Sequence, residues 1–159
     1  MARLGYIVLA ALLAVSSPAL ASGAGAQAGG ATPLAVEARA AAAVVDAFHA
    51  ALKRGDTDAA LAMLADDVLI FEGGKVERSK AEYAAHHLAG DAAFSKAVSS
   101  VLTERTAGAS GNIAWVASEG RTRGEYRGRE IDRTSAETMI LRRTGDGWKI
   151  IHIHWSGSQ

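Results

Sequence analysis

The apolar residues of this chain change their spacing near residue 97, and that change constrains the fold more than any other feature. Before it the spacing is helical: Ala41, Val44, Val45, Phe48 and Leu52 recur at three- and four-residue steps between Ala35 and Lys53, one stripe along a helix. Gly55 ends that helix, and Asp56 or Thr57 caps a short second one through Leu64. Val68 to Phe71 reads as a strand that turns back at Gly73-Gly74. Ser79-Lys80-Ala81-Glu82 has the form of a capping box, which predicts a third helix from Lys80 to about Leu88, yielding near Gly90, with a further turn over Asp91 to Lys96. After Ala97 the pattern is strand and turn: Ala97–Thr106, Ile113–Arg123, Ile131–Arg143 and Trp148–Ser156, separated by the glycine-bearing stretches 107–112, 124–128 and 145–147. Helices first and long antiparallel strands afterwards predict an α+β layer, with about three N-terminal helices on one face of a strongly curved sheet.

The N-terminus has a different character. Arg3 precedes an apolar run from Leu4 to Val15, and Ser16-Ser17-Pro18 leads to the small-x-small stretch Ala19-Leu20-Ala21, which predicts a signal peptide over 1–21 cleaved after Ala21. A run of this length is too short to span a bilayer as a helix, so no membrane association is expected once it is removed. Residues 22–34, mostly Gly, Ala and Ser, form an expected flexible leader, and the expected location is the periplasm or the exterior. Removing Arg3 from the 17 basic residues leaves sixteen against 17 acidic ones, so no net field favours nucleic acid. With no Cys the domain relies on packing, on a ligand or on a second copy for its stability.

Three stretches in a fixed order resemble a known family: Leu52-Lys53-Arg54-Gly55-Asp56 before a short helix, Asp66-Asp67-Val68 entering a strand, and Gly147-Trp148-Lys149-Ile150-Ile151-His152-Ile153-His154-Trp155-Ser156. Together they resemble the nuclear transport factor 2-like superfamily in its SnoaL-like bacterial branch, over residues 35–156. The resemblance implies a cone made of a bent sheet around helices, a pocket at its open end, and a homodimer through the outer sheet face. It implies no single activity, because members of such folds isomerise, dehydrate, bind or only associate.

Strand alternation places Trp148, Ile150, His152 and His154 on one face and Ile151, Ile153 and Trp155 on the other. The resemblance assigns the first set to the pocket and leaves the second as an apolar outer stripe. His86 and His87 are adjacent on the third helix, about 100° apart, so one of them faces the pocket beside Tyr83, and Glu82 is placed to orient His86. Glu72, Glu77, Glu119 and Glu137 are further acids. Glu137 shares parity with Met139 and Leu141, and its expected partner is Arg121, Arg123 or a His. His49 is expected at the surface.

Three functions follow. The first is a small-molecule-binding pocket walled by Phe71, Tyr83 and Trp148, with Glu72, His86, His87, His152 and His154 as polar anchors. The second is acid–base catalysis of the isomerase or dehydratase type, using His154, His152, Tyr83 and Glu137. The third is a zinc or copper site on His152, His154 and His86 or His87; no other cofactor is expected. An interaction module for another envelope protein, binding through the outer face, is the alternative from a different class.

Overall fold

The computed structural model describes residues 35–158 of the 159, and the predicted signal peptide and leader lie outside the described residues. Helix α1 spans Val36–Arg54 and buries Ala38, Ala41, Ala42, Val45, Phe48, Ala51 and Leu52, the stripe that the spacing predicts. It stops at Gly55, whose φ of 75° lets its amide reach back to the carbonyls of Ala51 and Leu52. Asp56 caps α2, Thr57–Met63, by accepting the amide of Ala59 at 3.1 Å. The chain then forms β1, Leu64–Glu72, and β2, Lys75–Glu77, joined by the predicted Gly73-Gly74 turn. Ser79 Oγ accepts the amide of Glu82 at the start of α3, Lys80–His86, and Glu82 Oε2 accepts the amide of Arg78. The Ser79 half of the capping box is formed, while the Glu82 carboxylate, expected to orient His86, reaches one residue past the N-cap to the amide of Arg78. A full fourth helix, α4, runs Leu88–Ala97, where one further turn was expected. The remaining strands are β3 Val98–Ser110, β4 Ile113–Tyr126, β5 Arg129–Thr144 and β6 Gly147–Gly157.

The strands form one sheet in the order β2-β1-β6-β5-β4-β3. β3 to β6 make the expected antiparallel meander, but β1 lies parallel to β6, so the sheet is mixed rather than purely antiparallel. The fold class is α+β, with the helices on one face of the sheet. Among the described residues, no helix is long and apolar enough to cross a membrane. The core lies between α1 and the concave sheet face, where Val68, Val116, Met139, Leu141, Ile150 and Ile153 are fully buried against Val45, Phe48 and Leu52. Each such side chain contributes about 1.5–3 kcal/mol of burial, which is how a domain without cysteine holds together.

One irregularity decides which residues face inward. On β5, Leu141 pairs with Ile150 and its neighbour Ile140 pairs with His152, so Ile151 is an extra residue opposite no partner: a β-bulge. Before the bulge Trp148 and Ile150 point inward, as expected. After it the parity reverses, and Ile153 and Trp155 point inward while His152 and His154 point outward. The expected outer stripe of Ile151, Ile153 and Trp155 therefore does not exist, and neither does a concave His152-His154 pair.

Candidate functional site

The inward residues of six strands align in one row across the concave face. Lys75 pairs with Glu72, Glu72 with Trp155, Trp155 with Glu137, Glu137 with Ser118, and Ser118 with Arg105. The next row toward the core, Ile70, Ile153, Met139 and Val116, is apolar apart from Glu77 at its β2 end; this one is polar at every position except the indole. A small cavity lies at its β1–β2 end, lined by Ile70, Glu72, Lys75, Glu77, Tyr83, His87 and Trp155. Its free volume of about 10 Å³ suits a single water molecule. Lys75, Glu77 and His87 also line a broad depression of about 830 Å³ on the protein surface, with Arg78, Glu82 and His86.

Glu77 is the anchor of this end. Its side chain is only 8 % exposed, and its two oxygens meet the Nδ1 atoms of His86, at 3.4 Å, and His87, in closer contact. Two adjacent residues of an unbroken helix would diverge by about 100°. They converge here because the helix breaks at His87, which closes α3 and opens α4. His87 lines the cavity, while the His86 side chain is 63 % exposed. With Nδ1 held by the carboxylate, Nε2 is the imidazole nitrogen left for a ligand.

In the cavity wall, the fully buried Tyr83 donates its hydroxyl to Asp91 Oδ2 of α4 at 2.9 Å. Burial, together with the negative charge of Asp91 and Glu72, pushes the Tyr83 phenol up and keeps it protonated. Burial is also the first cause that raises Asp91, to about 6, with Glu72 and Glu77 adding repulsion and the Tyr83 hydrogen bond and His87 opposing it. A carboxyl poised there exchanges its proton near neutral pH.

The other expected site residues take different places. Phe71 and His152 meet with ring centroids 5.4 Å apart and planes tilted by 53° on the outer face, and His154 lies edge-on 6.5 Å from the same ring. Burial and the neighbouring His154 charge lower the pKa of His152. These three are neither pocket walls nor partners of His87, and among the described residues no group of three or more His, Asp or Glu side chains is placed to hold a metal ion. Trp148 is a core residue under the Arg143 guanidinium, 4.6 Å from its ring centroid, not a wall of the cavity. Glu119 is exposed. Glu137 is inward and 10 % exposed, as its parity predicts, and its charged partner is a His, one of the expected options: His49 Nε2 and Trp155 Nε1 each lie 2.7 Å from Oε2. Arg121 and Arg123 instead share Asp132 Oδ1, and His49 is a member of an internal cluster rather than a free surface residue. Sequence reasoning missed Trp155 and Asp91. The first was hidden by the bulge; the second lay in a segment expected to be a single turn, although its Tyr83-to-Asp91 spacing of two helical turns was available as a signal.

Helices gathered on the concave side of a strongly curved sheet, with a polar cavity at one end, define the nuclear transport factor 2-like class of cone proteins. Within that class, a SnoaL-like domain model matches residues 41–158, and the chain belongs to that family. It is 45 % identical to a protein from Shewanella frigidimarina provisionally assigned as a ketosteroid isomerase, with 74 % of this chain and 94 % of that chain covered and a TM-score of 0.71. At 22 % identity it shares its fold with a protein of the same superfamily from Streptomyces avermitilis, provisionally assigned as a dehydratase, with coverage of 77 % and 96 % and a TM-score of 0.63. The CaMKII hub of S. rosetta has the same fold at 21 % identity, with coverage of 80 % and 100 % and a TM-score of 0.63. No curated protein matches the chain.

Proposed function

We propose that this protein binds a compact, oxygen-bearing organic molecule at the Glu77–His87 end of the cone and moves a proton on it. The carrying observation is the buried Glu77 carboxylate holding Nδ1 of a cavity-lining histidine, beside a buried tyrosine backed by a carboxyl near neutral pKa. His87 Nε2 takes a proton from the carbon beside a carbonyl, and Glu77 stabilises the imidazolium that results. The electron pair moves onto the carbonyl oxygen, which accepts a hydrogen bond from Tyr83. Tyr83 has one hydroxyl hydrogen, so it serves the substrate only when Asp91 is protonated and donates to the phenol oxygen in turn. Where a carbon–carbon double bond adjoins the carbon that gave up the proton, the electron pair is delocalised along it. His87 then returns the proton to the far carbon while the double bond moves into conjugation with the re-formed carbonyl, which completes an isomerisation.

Solvent-deuterium incorporation beside the carbonyl of small ketones tests this without knowledge of the natural substrate. The expected result is catalysed exchange that His87→Ala and Tyr83→Phe each lower by about 10²-fold or more; wild-type protein that exchanges no ketone above the buffer rate defeats the reading. Binding without turnover is the second reading, favoured by the broad depression that Lys75, Glu77 and His87 line beside the cavity. Export of the mature domain is proposed on the N-terminal segment. A homodimer through the outer sheet face is proposed on the partly exposed Leu69, Phe71 and Trp115, and sedimentation velocity tests it.

A further inference from the structure

Glu137 does not line the cavity, yet every contact it makes bears on the residue that does. One oxygen, Oε2, accepts from Trp155 Nε1 and lies 2.7 Å from His49 Nε2 in an ion-pair contact, and Trp155 is stacked on Phe48 with ring centroids 6.5 Å apart and planes 18° from parallel. The same indole lines the cavity together with Glu72, its register partner on β1. The ring torsion of a tryptophan side chain is soft, so packing on one face leaves the ring free to swing unless its N–H is held. A carboxylate with 10 % exposure, itself held from α1 by His49, supplies that hold.

We propose that Glu137, braced by His49, is a positioning residue that pins the Trp155 indole and thereby sets the width of the pocket. The inference rests on the proton-transfer reading above, and it identifies what restricts that pocket to small substrates. His49 and Glu137 take no part in the proton transfer; they act through the indole. Releasing the ring lets it rotate out of the cavity wall and admits a bulkier molecule.

The test compares acetone with cyclohexanone in the deuterium-exchange assay, for wild type, Glu137→Gln, Glu137→Ala and Trp155→Phe, each shown to be folded by its urea transition. Glu137→Ala removes the acceptor, and Trp155→Phe keeps a stacking ring but removes the donor. Each is expected to shift the cyclohexanone-to-acetone ratio of kcat/KM by about tenfold toward the larger ketone, through KM and not kcat. Glu137→Gln keeps an acceptor oxygen and is expected to stay within about threefold of wild type. Folded Glu137→Ala or Trp155→Phe protein with the wild-type ratio overturns the positioning role, as does a loss confined to kcat. If Glu137→Ala does not fold, Trp155→Phe and Glu137→Gln decide the matter by the same criteria. Wild-type protein that exchanges neither ketone overturns the proton-transfer reading, and this inference with it.

Discussion

Replacing Asp91 with Asn isolates the one carboxyl that the fold holds far from its ordinary pKa. Asp91 is raised from 3.8 to about 6, mainly by burial and then by the charge of Glu72, with Tyr83 and His87 opposing and Glu77 adding to the rise. A raised carboxyl binds its proton more tightly in the folded chain than in the unfolded one. Its stabilising contribution is therefore complete below about pH 4 and is lost as the pH rises through about 6. A shift of about two units at about 1.4 kcal/mol each sets an upper limit of about 3 kcal/mol, and incomplete burial reduces the expected loss to about 1–3 kcal/mol. Asn keeps an oxygen to accept the Tyr83 hydroxyl and carries no charge at any pH. Urea unfolding of wild type and Asp91→Asn at pH 4.5, 6.0 and 7.5 gives the difference directly, because the other titrating groups cancel. The stability of the variant relative to wild type should climb by about 1–3 kcal/mol from the lowest pH to the highest, a midpoint shift of about 1 M. A difference that is flat with pH, or that falls, refutes the argument that burial governs this carboxyl.

Two further perturbations address the core and the bulge. Met139→Ala empties a fully buried position between α1 and the sheet and should cost about 2–5 kcal/mol in the same urea measurement, with the fold intact by circular dichroism. Deleting Ile151 removes the extra residue of β6 and makes Ile150 and His152 direct neighbours opposite Leu141 and Ile140, so Ile153 and Trp155 keep facing inward and Trp155 keeps its bond to Glu137. The variant should therefore keep a cooperative urea transition at 25 °C, and loss of that transition would show that the bulge itself is needed for the sheet.

Most elements could be read from spacing because their apolar residues follow one period. α1 ends within one residue of expectation, and the Ser79-to-Glu82 box starts α3 where predicted. Where the reading fell short, a tertiary contact overrode a local signal. Ala107 to Ser110 belongs to β3 although it reads as a turn: the Trp115 indole of β4 lies over Gly108, so closely that an added Cβ would stand 2.7 Å from its Nε1. Gly90 sits inside α4 instead of ending a helix. The orientation of the site was less legible still. Residues 148–155 carry apolar side chains on both parities, so alternation alone cannot reveal that Ile151 is a bulge, and one unseen residue exchanged the two histidines for Trp155 on the pocket side. Glu77 and Tyr83 were among the acids and aromatics noted, but their convergence depends on the break at His87, which no local propensity announces.

The place of β6 between β1 and β5 also governs when the molecule can form. During synthesis, α1, the β1–β2 hairpin and the β3–β5 meander emerge while the middle of the sheet is still missing. β1 can find its neighbour only after residue 153 is made, through a parallel pairing of Ile70 with Ile153 across more than half the chain. Long-range pairing of this kind is slow, because the loop must close before any contact rewards it. The nascent chain therefore stays open, with Val68 and Met139 uncovered, until β6 inserts, and insertion of that single strand commits core and pocket together.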